Sequence, residues 1–109
     1  MNLLRGEIWW VDLSPTRGSE INKKRPCIVL SVDVINQRRK TVVVVPLSTS
    51  PTVRPPLTVS VVCAGRPAVA VMDQIRATAK ERFGNRIGTA TAAEMEAIED
   101  SLREILSIA

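Results

Sequence analysis

The residues of this chain best suited to chemistry lie in one polar stretch, Thr16-Arg17-Gly18-Ser19-Glu20, continued after Ile21 by Asn22-Lys23-Lys24-Arg25. Hydroxyl, amide, ammonium and guanidinium donors at this density suit phosphate oxygens. Lys23 and Lys24 offer point charges, whereas Arg25 offers a planar fork of donors that stays charged at any physiological pH. Glu20 can orient that guanidinium or accept a proton, since a carboxylate close to a cation keeps a low pKa unless it is buried. Pro26 then locks the backbone where the stretch ends.

Two smaller groups add to this set. Ser48, Thr49 and Ser50 close an apolar run that begins near Thr41, and their hydroxyls can donate or accept, although a serine ahead of Pro51 is also an ordinary turn former. Asp73 and Gln74 follow the apolar run Ala68 to Met72 and present an acceptor and an amide at its mouth, suited to base edges or ribose hydroxyls. The chain has no histidine and no tyrosine, so acid–base chemistry by a histidine pair is excluded. Cys27 and Cys63 are single residues in apolar segments without a Cys-x-x-Cys pair. No metal site and no cofactor are expected, and the cysteines read as packed free thiols; a disulfide between them needs neighbouring strands and an oxidising compartment.

The elements that must position these groups are mostly strands. Alternation and β-branched runs predict strands over Glu7 to Leu13, Pro26 to Ser31, Thr41 to Ser48, Leu57 to Val62 and Ala68 to Met72, with a short one near Arg86 to Ala90. The first two pair across the polar stretch. Short strands separated by Pro- and Gly-rich turns indicate a mainly β fold of small-barrel type rather than βαβ units. Thr91-Ala92-Ala93-Glu94 matches a capping box, and Met95, Ile98, Leu102, Ile105 and Ala109 recur at helical spacing, which predicts a C-terminal amphipathic helix. Trp9 and Trp10 must point to opposite faces of their strand, one into the core and the other toward a base or a subunit interface, with the interface preferred.

At 109 residues the chain makes one domain, 1–109, with its own core. The longest apolar run, Val42 to Val45, is far too short to span a bilayer and the N-terminus carries no secretory pattern, so a membrane protein is excluded and the cytoplasm is expected. Residues 1–90 hold 14 Lys and Arg against 6 Asp and Glu, whereas residues 91–109 hold 1 against 5. A basic body favours a polyanion or an acidic protein segment as partner. The acidic residues of the tail fall mostly on the polar side of the predicted helix, as a solvated face.

The order Arg5-Gly6-Glu7-Ile8-Trp9, Asp12-Leu13 with Pro15, Gly18 with Glu20, and Lys24-Arg25-Pro26 with Ile28-Val29 resembles the MazF/PemK family of toxin endoribonucleases. The likeness continues through Val45-Pro46-Leu47-Ser48-Thr49-Ser50 and Asp73-Gln74-Ile75-Arg76-Ala77 and covers nearly the whole chain. It implies an SH3-like small barrel, mainly β, with a terminal helix on its side. It also implies a homodimer that cuts single-stranded RNA along the dimer face and is neutralised by a cognate antitoxin with an acidic tail. Arg25 falls on the family's catalytic arginine. Ser48 falls where the family commonly places a catalytic threonine, with Thr49 or Ser50 taking that place if the register shifts.

Cleavage without a metal requires deprotonation of a 2′-hydroxyl, protonation of the departing 5′-oxygen and stabilisation of the phosphorane, and leaves a 2′,3′-cyclic phosphate and a 5′-hydroxyl. An arginine is a poor base, so the expected role of Arg25 is chiefly electrostatic. Glu20 is the third catalytic candidate, and Lys23, Lys24, Thr49, Asp73 and Gln74 are the expected RNA-binding residues. One branch of the family uses a histidine just before its glutamate and an arginine two residues before its aspartate; Ser19 and Val71 stand there in this chain, so that mechanism does not transfer. Two rivals share the fold. A DNA gyrase poison relies on a tryptophan near the C-terminus, where this chain ends Leu106-Ser107-Ile108-Ala109; a silent SH3-like binding module is opposed by Arg25, Ser48 and Glu20.

Overall fold

The computed structural model describes residues 2–14, 23–49 and 52–109. Strands β1 (Glu7–Asp12) and β2 (Lys24–Val29) pair, as the sequence predicts; the pairing is antiparallel, with Trp9 opposite Cys27 and Val11 opposite Arg25. A short helix α1 (Asp33–Arg38) leads into the long strand β3 (Thr41–Ser48), followed by the hairpin of β4 (Thr58–Cys63) and β5 (Arg66–Val71). Then come β6 (Arg76–Ala79), β7 (Phe83–Thr89) and helix α2 (Ala92–Leu106), with 3-10 turns at Met72–Gln74 and Lys80–Arg82 between the last strands. The strands run β4-β5-β3-β2-β1-β7 in a half-barrel sheet, with β6 also paired to β3. The mainly β fold with a terminal helix agrees with the sequence expectation.

β3 is the axis of the sheet. It pairs with β2 from Val44 to Pro46, with β6 from Thr41 to Val44, and with β5 at Leu47 and Ser48. Because side chains alternate between the faces of a strand, β3 feeds two apolar clusters. Val45 and Leu47 join Ile8, Ile28, Val61 and Met72 beneath Met95 and Ile98 of α2. Val42 and Val44 join Leu3, Val11, Leu13, Cys27, Val29 and Phe83, with Trp9 packed alongside.

Three features depart from the sequence expectation. α1 is absent from the hydrophobic pattern because Val34 and Ile35 are exposed and only Asn36 is buried; Asn36 donates to the carbonyls of Leu3 at 3.0 Å and Ser31 at 2.9 Å, and these tertiary bonds fix the turn. β6 has four residues of mixed polarity, and its pairing to β3 rather than any alternation defines it. β7 begins at Phe83 instead of near Arg86, since Phe83 pairs with Val11. The terminal helix has its capping box, with Glu94 N–H on Thr91 Oγ1 at 3.1 Å and Thr91 N–H on Glu94 Oε1 at 2.8 Å. Glu94 Oε2 also accepts the Val62 N–H at 2.6 Å, which ties the helix start to β4. The helix ends at Leu106 with Ser107 in the left-handed region, so Ala109 lies outside it. Glu99 pairs with Arg5 and Asp100 with Arg103, while Glu96 and Glu104 remain exposed.

Candidate active site

Two strands converge on the central residues. The β2–β3 register runs Val29–Val44, Ile28–Val45 and Cys27–Pro46; the antiparallel pairing puts the start of β2, with Arg25, and the end of β3, with Ser48, toward the same end of the pair, beyond the last paired residues. By alternation Arg25, Cys27 and Val29 share one face of β2, and Val44, Pro46 and Ser48 share the matching face of β3. Cys27, Val29 and Val44 are fully buried, whereas Arg25 and Ser48 are half-buried. The face therefore passes from an apolar cluster to a polar rim, where charge on a substrate would be less screened than in open water.

Of the remaining predicted residues, those described are distributed over several elements. Thr49 is exposed just past the end of β3. Asp73 is exposed and Gln74 half-buried in the 3-10 turn that packs against β3. Lys23 is exposed and holds a left-handed backbone with φ of 68°. Lys24 lies opposite Asp12 and lines an open cleft of about 690 Å³ with Trp10, Ser14, Arg82, Gly84 and Asn85; alternation sends it to the other face from Arg25. The two adjacent cations thus diverge. Glu20, together with Arg17, Ser19, Asn22 and Ser50, lies outside the described residues.

Arg76 is a residue that motif spacing quotes without assigning a role. It stands opposite Val44 on β6, on the same face as Arg25 and Ser48, and its charge reaches the Cys27 thiol. No alternation in the sequence marked it, since β6 is defined by its pairing with β3. Burial pushes the Cys27 thiol up to about 12, only weakly opposed by Arg76, so Cys27 is a neutral packing group and no nucleophile. Burial also raises the Cys63 thiol, which is partly exposed on β4. Both cysteines are free; the expectation of packing fits Cys27 and is too strong for Cys63. Among the described residues no group of three or more His, Cys, Asp or Glu side chains could hold a metal ion.

The tryptophans divide as strand geometry requires. Trp9 packs edge-on against Phe83, with ring centroids 6.3 Å apart, and donates its indole N–H to Glu7 Oε1 at 3.1 Å. Trp10 is 44% exposed. Glu7 is buried and also accepts the Leu4 N–H at 2.9 Å and Arg86 Nη1 at 3.0 Å. Burial alone would raise its pKa, but these bonds and the Arg86 charge hold it below the ordinary value.

The family model for the PemK-like, MazF-like toxin of type II toxin-antitoxin systems matches residues 4–106. The chain belongs to this family. It is 38% identical to endoribonuclease MazF9 of Mycobacterium tuberculosis, over 91% of this chain and 92% of that protein. It is 32% identical to the endoribonuclease toxin MazF of Escherichia coli K12, over 93% and 91%. The fold matches the crystal structure of MazF from Deinococcus radiodurans with a TM-score of 0.89 at 21% identity, covering 99% of both chains. It also matches a mycobacterial endoribonuclease in complex with its cognate antitoxin with a TM-score of 0.78 at 24% identity, covering 99% of this chain and 96% of that one.

In this toxin the opening Arg5-Gly6-Glu7 motif is scaffold. Gly6 has φ of +92°, a conformation costly for any residue with a Cβ; its N–H donates to Val29 and its carbonyl accepts from Ala90, each at 2.8 Å. Arg5 Nε donates to the Leu30 carbonyl at 2.9 Å, and its Nη2 meets Glu99 at 2.8 Å. The motif therefore joins β1 to β2 and to α2.

Proposed function

We propose that this toxin is a sequence-selective, metal-independent endoribonuclease that cuts single-stranded RNA by attack of a ribose 2′-hydroxyl on the adjacent phosphorus. The P–O bond to the 5′-oxygen breaks, leaving a 2′,3′-cyclic phosphate and a 5′-hydroxyl; the 2′-hydroxyl proton goes to a base and the departing oxygen takes up a proton. The reading includes a homodimer in the cytoplasm, silenced by an acidic antitoxin segment. The observation that supports it is the antiparallel pairing of β2 with β3, with Arg25 near the start of one strand and Ser48 at the end of the other, both half-buried. The relatives named as endoribonucleases support the reaction class.

On this reading Arg25 is a catalytic residue whose fixed charge stabilises the phosphorane, a role that needs no change of protonation. Ser48 supplies a hydroxyl to a non-bridging oxygen or to the 2′-hydroxyl, and Glu20 orients Arg25 or accepts a proton. Lys23 and Lys24 hold backbone phosphates, while Thr49, Asp73 and Gln74 offer hydrogen bonds to bases or ribose. The basic body supplies the long-range attraction to RNA or to an acidic antitoxin. Among the described residues no helix is long and apolar enough to cross a membrane.

The test is single-turnover cleavage in EDTA. A substrate with deoxyribose before the cut should resist, and its cleavage at that bond would end the 2′-hydroxyl mechanism. Arg25→Lys should lose about 2.7–4 kcal/mol of transition-state stabilisation with little change in RNA affinity, and Ser48→Thr should retain the rate that Ser48→Ala loses. Near-normal cleavage by folded Arg25→Lys would remove Arg25 from the catalytic role.

A further inference from the structure

Arg82 closes the 3-10 turn Lys80–Arg82, immediately before Phe83, which pairs with Val11 and is buried in the second apolar cluster. That anchor carries the half-buried guanidinium of Arg82 to the end of β1. There one nitrogen, Nη1, donates to the Asp12 carbonyl at 3.1 Å and, at shorter range, to the Ser14 carbonyl. The same short segment is tied to the start of β2. Asp12 Oδ1 accepts the Ser14 N–H at 3.0 Å, Ser14 Oγ accepts the Lys23 N–H at 3.0 Å, and the Leu13 N–H donates to the Lys23 carbonyl at 2.9 Å. Lys23 is held with φ of 68°, a region that a residue with a Cβ occupies only where its surroundings impose it.

We propose that Arg82 is a positioning residue for the RNA-cleaving site. By clasping the carbonyls of Asp12 and Ser14 it fixes the backbone of Lys23, and through Lys23 the first residues of β2, from which Arg25 projects. Nothing in its motif context marks it, because its partners lie 70 and 68 residues away in the sequence. The inference rests on the endoribonuclease reading above. A displacement of about 1 Å at a reacting group can cost a hundredfold in rate, so a clasp at the root of β2 has leverage on catalysis without touching RNA.

The test compares Arg82→Ala and Arg82→Lys with Arg66→Ala, an exposed cation at the start of β5 that controls for net charge. Two readouts are taken: single-turnover cleavage over a salt series, and amide hydrogen exchange in the RNA-free protein. Arg82→Ala should cut the rate about tenfold to a hundredfold, leave the salt dependence of RNA binding unchanged, and speed exchange at Leu13 and Lys23 but not at Gly6. Arg82→Lys, whose ammonium can donate to both carbonyls, should recover most of the rate, and Arg66→Ala should match the parent. An unchanged rate overturns the proposal, as does a loss explained by weaker binding with a salt slope reduced by about one, the mark of a phosphate contact. If the parent protein cuts no RNA, the enzymatic reading fails by itself; the exchange rates still judge the clasp, and unaltered exchange at Leu13 and Lys23 overturns it.

Discussion

Replacing Glu7 separates two ways in which a buried carboxylate can stabilise a fold. Its Oε1 accepts the Leu4 N–H and the Trp9 indole N–H, while Oε2 meets Arg86, whose side chain is 56% exposed. Glu7→Ala strands both N–H donors in half-buried positions, each at about 1–3 kcal/mol where water cannot fully replace the acceptor, so a total of about 2–6 kcal/mol is expected. With an unfolding entropy of about 230 cal/mol/K for a chain of 109 residues, that loss lowers Tm by about 9–26 °C. Glu7→Gln keeps an oxygen at the Oε1 position and loses only the Arg86 pair, which is worth about 0–1 kcal/mol because solvent screens it. Arg86→Ala should resemble Glu7→Gln. The folded-state pKa of Glu7 lies below its ordinary value of 4.5, so its contribution is fully present above that pH and is lost as pH falls through the folded value. Thermal unfolding between pH 7 and pH 3 should show an acid limb in the parent that is shallower in both Glu7 variants. Equal destabilisation by Gln and Ala at pH 7 would refute the reasoning, since it would make charge rather than hydrogen-bond acceptance the stabilising element.

Two further outcomes follow from burial. Thr78 is 2% exposed and, among the described residues, its hydroxyl has no hydrogen-bond partner; Thr78→Val keeps the β-branched shape and should leave stability unchanged or raise it by about 1 kcal/mol, and a loss of that size in chemical denaturation would reveal a partner for the hydroxyl. Thiol alkylation of the native protein should label Cys63 first and reach Cys27 only on unfolding, because Cys27 is fully buried with its thiol raised to about 12; equal rates would contradict that packing.

Some of this protein was legible one residue at a time. The alternation of Trp9, Val11 and Leu13 predicts a strand, and Thr91 with Glu94 predicts the helix start, because strand period and helix capping are properties of neighbouring residues. The motif order was sufficient for the family, and the residue types suited to phosphate chemistry were visible without any fold. Sequence proximity was misleading within the site itself. Lys24 and Arg25 are adjacent, yet strand alternation sends them to opposite faces, while Arg25 and Ser48, far apart in the chain, come to the same end of the paired strands β2 and β3. The exposed helix α1 depends on the tertiary bonds of Asn36, and the brief strand β6 on its pairing with β3. The place of Arg82 depends on Phe83 seated opposite Val11. Local pattern specifies the phase of each side chain; only strand pairing between distant segments specifies which phases meet, and the candidate site is made of such meetings.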